Sequence, residues 1–351
     1  MKDLDPIQDI KKILVLRPDG IGDVLNSTPA ILALREAYPE AHLSVVVSPA
    51  GAEVLSLNPS VDEILIYDTG GLHRSLAAKL RFIKKLRADR YDAVVIMRNS
   101  SMCNLIAYLS GARYRIGRKS ERKRFSFTLT HGVRSRDPKG TKHESDRSMD
   151  LVRLIGAESE DRELILYLSE EERAWAGDFL HRQSIEVSDG SPPIVGIHPG
   201  GSSFDKLWPA ENFGEVANQL IQKFGAKVML FGGPGEDNLI QTIQKTMKHT
   251  PIHATGIRLR QFAALVEKCS LFLCNDSGPM HMAAALGVPT AAIFGPTDHV
   301  RWKPLNKKAV IVRRDMDCWP CSAHKCKREF ECTKSLPVSE VLDAGCRILD
   351  A

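Results

Sequence analysis

LFLCNDSGPMHMAAALGVPTAAIFGPTD, residues 271–298, reads as strand, turn, helix and strand. Leu271–Cys274 and Thr290–Phe294 are short apolar runs bounded by turn residues, and a small-residue helix around Met280–Leu286 connects them. A helical connection of this length predicts parallel strands, the βαβ unit of an α/β protein. Pro279 falls in the first helical turn, where its missing N–H costs nothing. Backbone N–H groups at such a helix start point outward and favour a phosphate. Ser277 adds a hydroxyl donor, Gly278 lets a ligand approach the backbone, and His281 lies in the first turn. Asp276 and Ser277 also suit a plain helix cap, which would satisfy the same donors without a ligand.

The alternation extends outward in both directions. Strand candidates before the quoted stretch are Ile194–Ile197 and Lys227–Phe231, and in the first half Ile13–Leu16, Leu43–Val47, Glu63–Tyr67 and Ala93–Met97. Helix-length amphipathic segments separate them, so the expectation is α/β: two Rossmann-like doubly wound parallel sheets. Ser188–Pro193, SDGSPP, is the most linker-like stretch, and the boundary is expected there, with domains at 1–188 and 189–336. A length of 351 residues agrees with two domains.

Three further turns follow strands at the edge where such sheets bind ligands. HPGGSSFDKLWP, 198–209, offers Ser202, Ser203 and Lys206 to a diphosphate, or is an ordinary βα loop with a surface lysine. FGGPGED, 231–237, offers Glu236 to ribose hydroxyls, or merely begins a helix there. RPDGIGDVLNSTPAI, 17–31, resembles a dinucleotide fingerprint, but Leu25 stands where the third glycine belongs, which weakens a dehydrogenase reading. Asp23 at that helix start could instead take a proton from a substrate hydroxyl, as well as cap the helix.

Composition bounds the rest. No apolar run approaches the roughly 20 residues of a membrane span, and the N-terminus lacks a signal-peptide core, so a cytoplasmic protein is expected. Eight cysteines are too sparse for a disulfide scaffold. Residues 113–147 hold 12 Lys/Arg against 4 Asp/Glu, which suggests an anionic partner or a solvated basic face. Aromatic residues there are limited to Tyr114, Phe125 and Phe127, so base stacking is poorly supported and no nucleic acid partner is expected. Arg122, Lys123 and Arg124 are the acceptor-binding candidates within it.

Taken together, RPDGIGDVLNSTPAI, HPGGSSFDKLWP, FGGPGED and CNDSGPMHMAAALGVPTAAIFGPTD resemble the bacterial heptosyltransferases, glycosyltransferase family 9, from about Ile13 to the C-terminal helix. Within that family the chain is most similar to the lipopolysaccharide heptosyltransferase II group. The resemblance implies a GT-B fold whose two domains face a cleft, with a final helix, 337–351, packing back on the first domain. It implies ADP-heptose or a related nucleotide sugar as donor, and an anionic lipopolysaccharide core as acceptor. Transient contact with the inner face of the cytoplasmic membrane follows from that acceptor. It also implies inverting transfer with no required metal, Asp23 as general base, Ser202 and Lys206 at the phosphates, and Asp276, Ser277, Gly278 and His281 at the donor turn. The alternatives are a relative that transfers another sugar to a surface glycan, or a catalytically silent ADP-binding protein. Asp315-Met316-Asp317 fits the short Asp-x-Asp pattern of metal-dependent transferases only weakly. Cys318, Cys321, Cys326 and Cys332 have a spacing compatible with a structural zinc, or are reduced thiols in a packed loop.

Overall fold

The computed structural model describes residues 9–120, 123–134, 141–188, 190–319, 321 and 326–351. The chain forms two compact units, residues 1–165 and 166–351.

In the first unit the strands are β1 (Lys12–Arg17), β2 (His42–Val47), β3 (Glu63–Ile66), β4 (Ala93–Ile96), β5 (Tyr114–Lys119) and β6 (His131–Arg134). Its helices are α1 (Ile21–Leu25), α2 (Thr28–Ala37), α3 (Pro49–Leu55), α4 (Leu76–Ala88), α5 (Ser101–Leu109) and α6 (Glu144–Val152). The sheet is wholly parallel in the order β3-β2-β1-β4-β5-β6. β1, KILVLR, is buried at every position after the first, as expected of a central strand covered on both faces.

The second unit repeats this plan. Its strands are β7 (Ile194–His198), β8 (Lys227–Gly232), β9 (Ile252–Thr255), β10 (Leu271–Asn275), β11 (Thr290–Phe294) and β12 (Ala309–Arg313). They pair in parallel in the order β12-β11-β10-β7-β8-β9, the same topology as the first sheet. Around them lie α7 (Glu170–Arg182), α8 (Ala210–Phe224), α9 (Asp237–Thr246), α10 (Leu259–Val266), α11 (Gly278–Ala285), α12 (His299–Trp302), α13 (Glu331–Lys334) and α14 (Val338–Leu349). α8 shows the local logic: Phe213, Val216, Ala217 and Leu220 recur on one face and are buried, and Gly225 ends the helix at φ +64°.

The chain leaves the first unit at Ile165, whose N–H donates to Thr28 Oγ1. α7 belongs with the second unit, ahead of the expected boundary at 188/189. It starts with a capping box between Ser169 and Glu172, and Glu172 and Arg173 pair with Arg260 and Glu267 around α10. Val341 and Ala344 of α14 are buried in the second unit's core with Leu220 and Leu271, and a Cβ on Gly345 would stand 3.3 Å from Leu271. Part of the basic segment is structural as well: it supplies β5 and β6, where Arg118 is buried. Among the described residues no helix is long and apolar enough to cross a membrane.

Candidate active site

Both sheets reverse strand order between their first and fourth strands, β1/β4 and β7/β10, and the crevice beyond those strand ends is where open α/β sheets bind ligands. Asp23 follows β1 at the first of them, and residues 198–209 and 275–281 follow β7 and β10 at the second.

In the first unit β1 ends at Arg17, which is 3% exposed. Its Nη1 donates to the Met97 carbonyl just beyond β4 (2.9 Å), and its Nε donates to the Asp23 carbonyl (3.1 Å). Its Nη2 serves two carboxylates, Asp23 Oδ1 at 3.2 Å and Glu144 Oε1 at 3.1 Å. Glu144 is buried at the start of α6, with Arg147 at 3.4 Å from its other oxygen. Asp23 therefore stands on the first turn of α1 with backbone and carboxylate both fixed by one guanidinium, its side chain 33% exposed. Asp19 lies against Arg17 and Arg98; burial raises its carboxyl above the ordinary value, against the pull of both cations. The sequence pointed to Asp23 but not to Arg17 or Glu144, which are 127 residues apart with no local signal to link them.

In the second unit, Lys206 Nζ donates to Asp276 Oδ2 at 2.7 Å, joining the loop after β7 to the turn after β10. Asn275, at the end of β10, makes a second tie: its Nδ2 donates to Pro199 O and its Oδ1 accepts from Trp208 N. Sequence reasoning did not single out this fully buried amide. Ser277 occupies the N-cap position of α11 but makes no capping bond, and its buried Oγ has no hydrogen-bond partner among the described residues. The plain-cap reading of this turn is thus not what forms: Asp276 is turned to a lysine and Ser277 is left unsatisfied. Gly278 and His281 follow on α11, with His281 buried. Ser202 is exposed in its loop, while the Ser203 hydroxyl donates to Asp205.

Glu236 precedes α9 but does not cap it. Its carboxylate accepts from Gly233 N (2.7 Å) and lies 3.4 Å from His198 Nε2. A Cβ on Gly200 would meet this carboxylate at 1.7 Å, so the Gly at 200 is what lets the two loops close on each other. Burial lowers the His198 imidazole below its ordinary value, with Glu236 acting in the opposite sense. A histidine lowered in the folded state is neutral there, and protonation below about pH 6.5 favours the unfolded chain. His131 and His299 are lowered by burial too. The urea midpoint should therefore fall as pH drops from 7 towards 5.5, and His198→Gln should remove part of that fall.

Of the acceptor candidates, Lys123 and Arg124 are exposed beyond β5, and Arg122 lies outside the described residues. Asp315 and Asp317 are exposed and paired with Arg313 and Arg328, so the Asp-x-Asp stretch is a surface ion-pair segment. Among the described residues no group of three or more His, Cys, Asp or Glu is placed to hold a metal ion. Cys318, Cys321, Cys326 and Cys332 are free thiols, and burial raises the Cys332 thiol above its ordinary value, with Cys321, Cys326 and Cys318 acting in the same sense. Their segment does buttress the site: Thr333 Oγ1 donates to the Asp205 carbonyl beside Lys206, and Cys321 N donates to Pro296 O. Cys103 and Cys269 are core thiols that burial pushes up to about 11 and about 12.

The chain is 27% identical to lipopolysaccharide heptosyltransferase 2 of Escherichia coli K12, over 86% of this chain and 88% of the relative. Among solved structures, a family 9 glycosyltransferase from Veillonella parvula superposes with TM-score 0.85 at 26% identity, covering 98% of this chain and 99% of the other. The E. coli ADP-heptose lipopolysaccharide heptosyltransferase II superposes with TM-score 0.76 over 96% and 98% of the two chains; at 24% identity this speaks to the fold. The model of glycosyltransferase family 9 (heptosyltransferase) matches residues 79–330, well over half of the chain, and the protein belongs to that family.

Proposed function

We propose that this enzyme moves heptose from ADP-heptose onto the inner core of lipopolysaccharide, with inversion and without a divalent metal. The observation that carries the donor half is the arrangement at the start of α11. Lys206 reaches Asp276 at 2.7 Å, Ser277 Oγ is buried without a partner, and the first N–H groups of a helix open at the same point. A lysine has three N–H donors, so Lys206 can hold Asp276 and a phosphate oxygen together. Negative charge grows on the departing diphosphate in the transition state, and fixed donors of this kind stabilise it without reorganising. That role is the one a metal fills in other transferases, which supports the metal-free reading.

The acceptor half rests on Asp23. An acceptor hydroxyl attacks the anomeric carbon from the face opposite the departing ADP, and Asp23 takes its proton as the new bond forms. The transition state resembles an oxocarbenium ion, and a single displacement inverts the anomeric centre. Glu236 is read as the ribose contact, and Arg122, Lys123 and Arg124 as contacts to acceptor phosphates. The E. coli K12 relative is a lipopolysaccharide heptosyltransferase, which supports heptose as the sugar and lipopolysaccharide as the acceptor.

A panel of nucleotide sugars, assayed for ADP or UDP release with a lipopolysaccharide-core acceptor in excess chelator, tests this reading. ADP-heptose should turn over fastest, with chelator changing the rate less than about twofold. Turnover of another donor in preference, or collapse of the rate in chelator, would sink the corresponding part.

A further inference from the structure

The α4–α5 layer of the first unit presents an apolar surface set among cations. Thr69 to Ala88 holds six Lys/Arg and no Asp/Glu. On α4, Ala78, Phe82, Ile83 and Leu86 turn into the core. Leu76 and Leu80, one turn apart, point away from it and are 72% and 53% exposed, and Leu72 in the preceding turn is 76% exposed. α5 and the turn after β5 share the same core cluster, through Cys103, Ile106, Ala107 and Leu129. They add Met102, Tyr108 and Phe127, the last 86% exposed. Among the described residues, six of the eight exposed large apolar side chains of this unit therefore lie on one layer, with Leu57 and Ile66 elsewhere. Arg81 and Lys84 of α4 and Lys123 and Arg124 beyond β5 are exposed on the same layer.

An apolar patch of this kind marks a docking surface. Exposed leucines interleaved with lysines and arginines, with no acid between residues 69 and 88, match the boundary between headgroups and acyl chains of an anionic bilayer better than the face of a protein partner. We propose that this layer docks on an anionic lipid bilayer, leucines entering the headgroup boundary and the cations lying against lipid phosphates. The inference deepens the reading of a lipid-borne acceptor, but it is measured with neither donor nor acceptor present, so either can fail without the other.

The test is co-sedimentation of the full chain with phosphatidylcholine vesicles, with and without phosphatidylglycerol. Binding is expected to require phosphatidylglycerol and to weaken as salt is raised. Leu72→Ser, Leu76→Ser and Leu80→Ser combined should weaken it at least about tenfold, with an unchanged circular dichroism melt because all three side chains are exposed. Arg81→Gln with Lys84→Gln should reduce the phosphatidylglycerol dependence. Absence of binding to either vesicle, or equal binding by the leucine variant, overturns the proposal. So does a wild-type dimer that ignores vesicles and that the leucine variant converts to monomer, which would make the layer an interface between copies.

Discussion

Asp23→Asn should keep donor binding and lose about 100- to 10,000-fold in kcat, the range typical of a positioned general base. The substitution keeps the shape and a hydrogen-bond acceptor for Arg17 Nη2, so the loss would report the missing proton acceptor rather than a collapsed loop. Glu144 provides the companion measurement. It shares Arg17 Nη2 with Asp23 and is itself buried, so it acts as a positioning residue. Glu144→Ala should lower kcat more than it changes KM for the donor, and Glu144→Gln, which retains an oxygen for Arg17, should restore part of the loss. Near-normal kcat for Asp23→Asn on a verified acceptor would remove the base assignment; equal effects on kcat and KM in the Glu144 pair would reduce that residue to a structural role.

Most of the strands that were legible in the sequence are buried on both faces, the edge strand β3 being the exception. β1, β2, β7, β10 and β11 read as nearly continuous apolar runs because helices cover both sides of them. β5 was hidden by its cations, YRIGRK, and β9 and β12 by partial exposure at or near sheet edges. Edge strands carry no strong period, so their pairing is decided by the neighbouring strand rather than by their own composition. The turn after β10 was legible because Asp276, Ser277, Gly278 and Pro279 are contiguous and each has a local consequence. What holds it was not: Asn275 reaches Pro199 and Trp208, and Lys206 reaches Asp276 across 70 residues. Such ties depend on the order β10-β7 in the sheet, which no local pattern encodes. The division near residue 165 has no local signal either, since α7 is tied to α10 by ion pairs and the Gly/Pro-rich stretch at 188–193 comes only after it.

Lys206→Ala should weaken ADP binding roughly 10- to 100-fold by calorimetry, the loss of a charge-assisted hydrogen bond to a phosphate. It should also destabilise the free protein, because the Asp276 side chain, 6% exposed, is left as an unpaired buried charge, a change that costs about 3–5 kcal/mol. These two effects have different origins and can be separated. Asp276→Asn combined with Lys206→Met removes both charges, so the urea midpoint should recover most of what Lys206→Ala loses. ADP affinity should not recover, because the phosphate contact is still missing. If affinity returns with stability in the double variant, Lys206 serves only to neutralise Asp276, and the diphosphate would then rest on Ser277 and the backbone N–H groups of α11 alone. If Lys206→Ala leaves ADP binding unchanged, Lys206 is not part of the leaving-group subsite. The outcome expected here, stability restored and affinity still lost, is the one in which the lysine bridges a fixed carboxylate and a departing diphosphate.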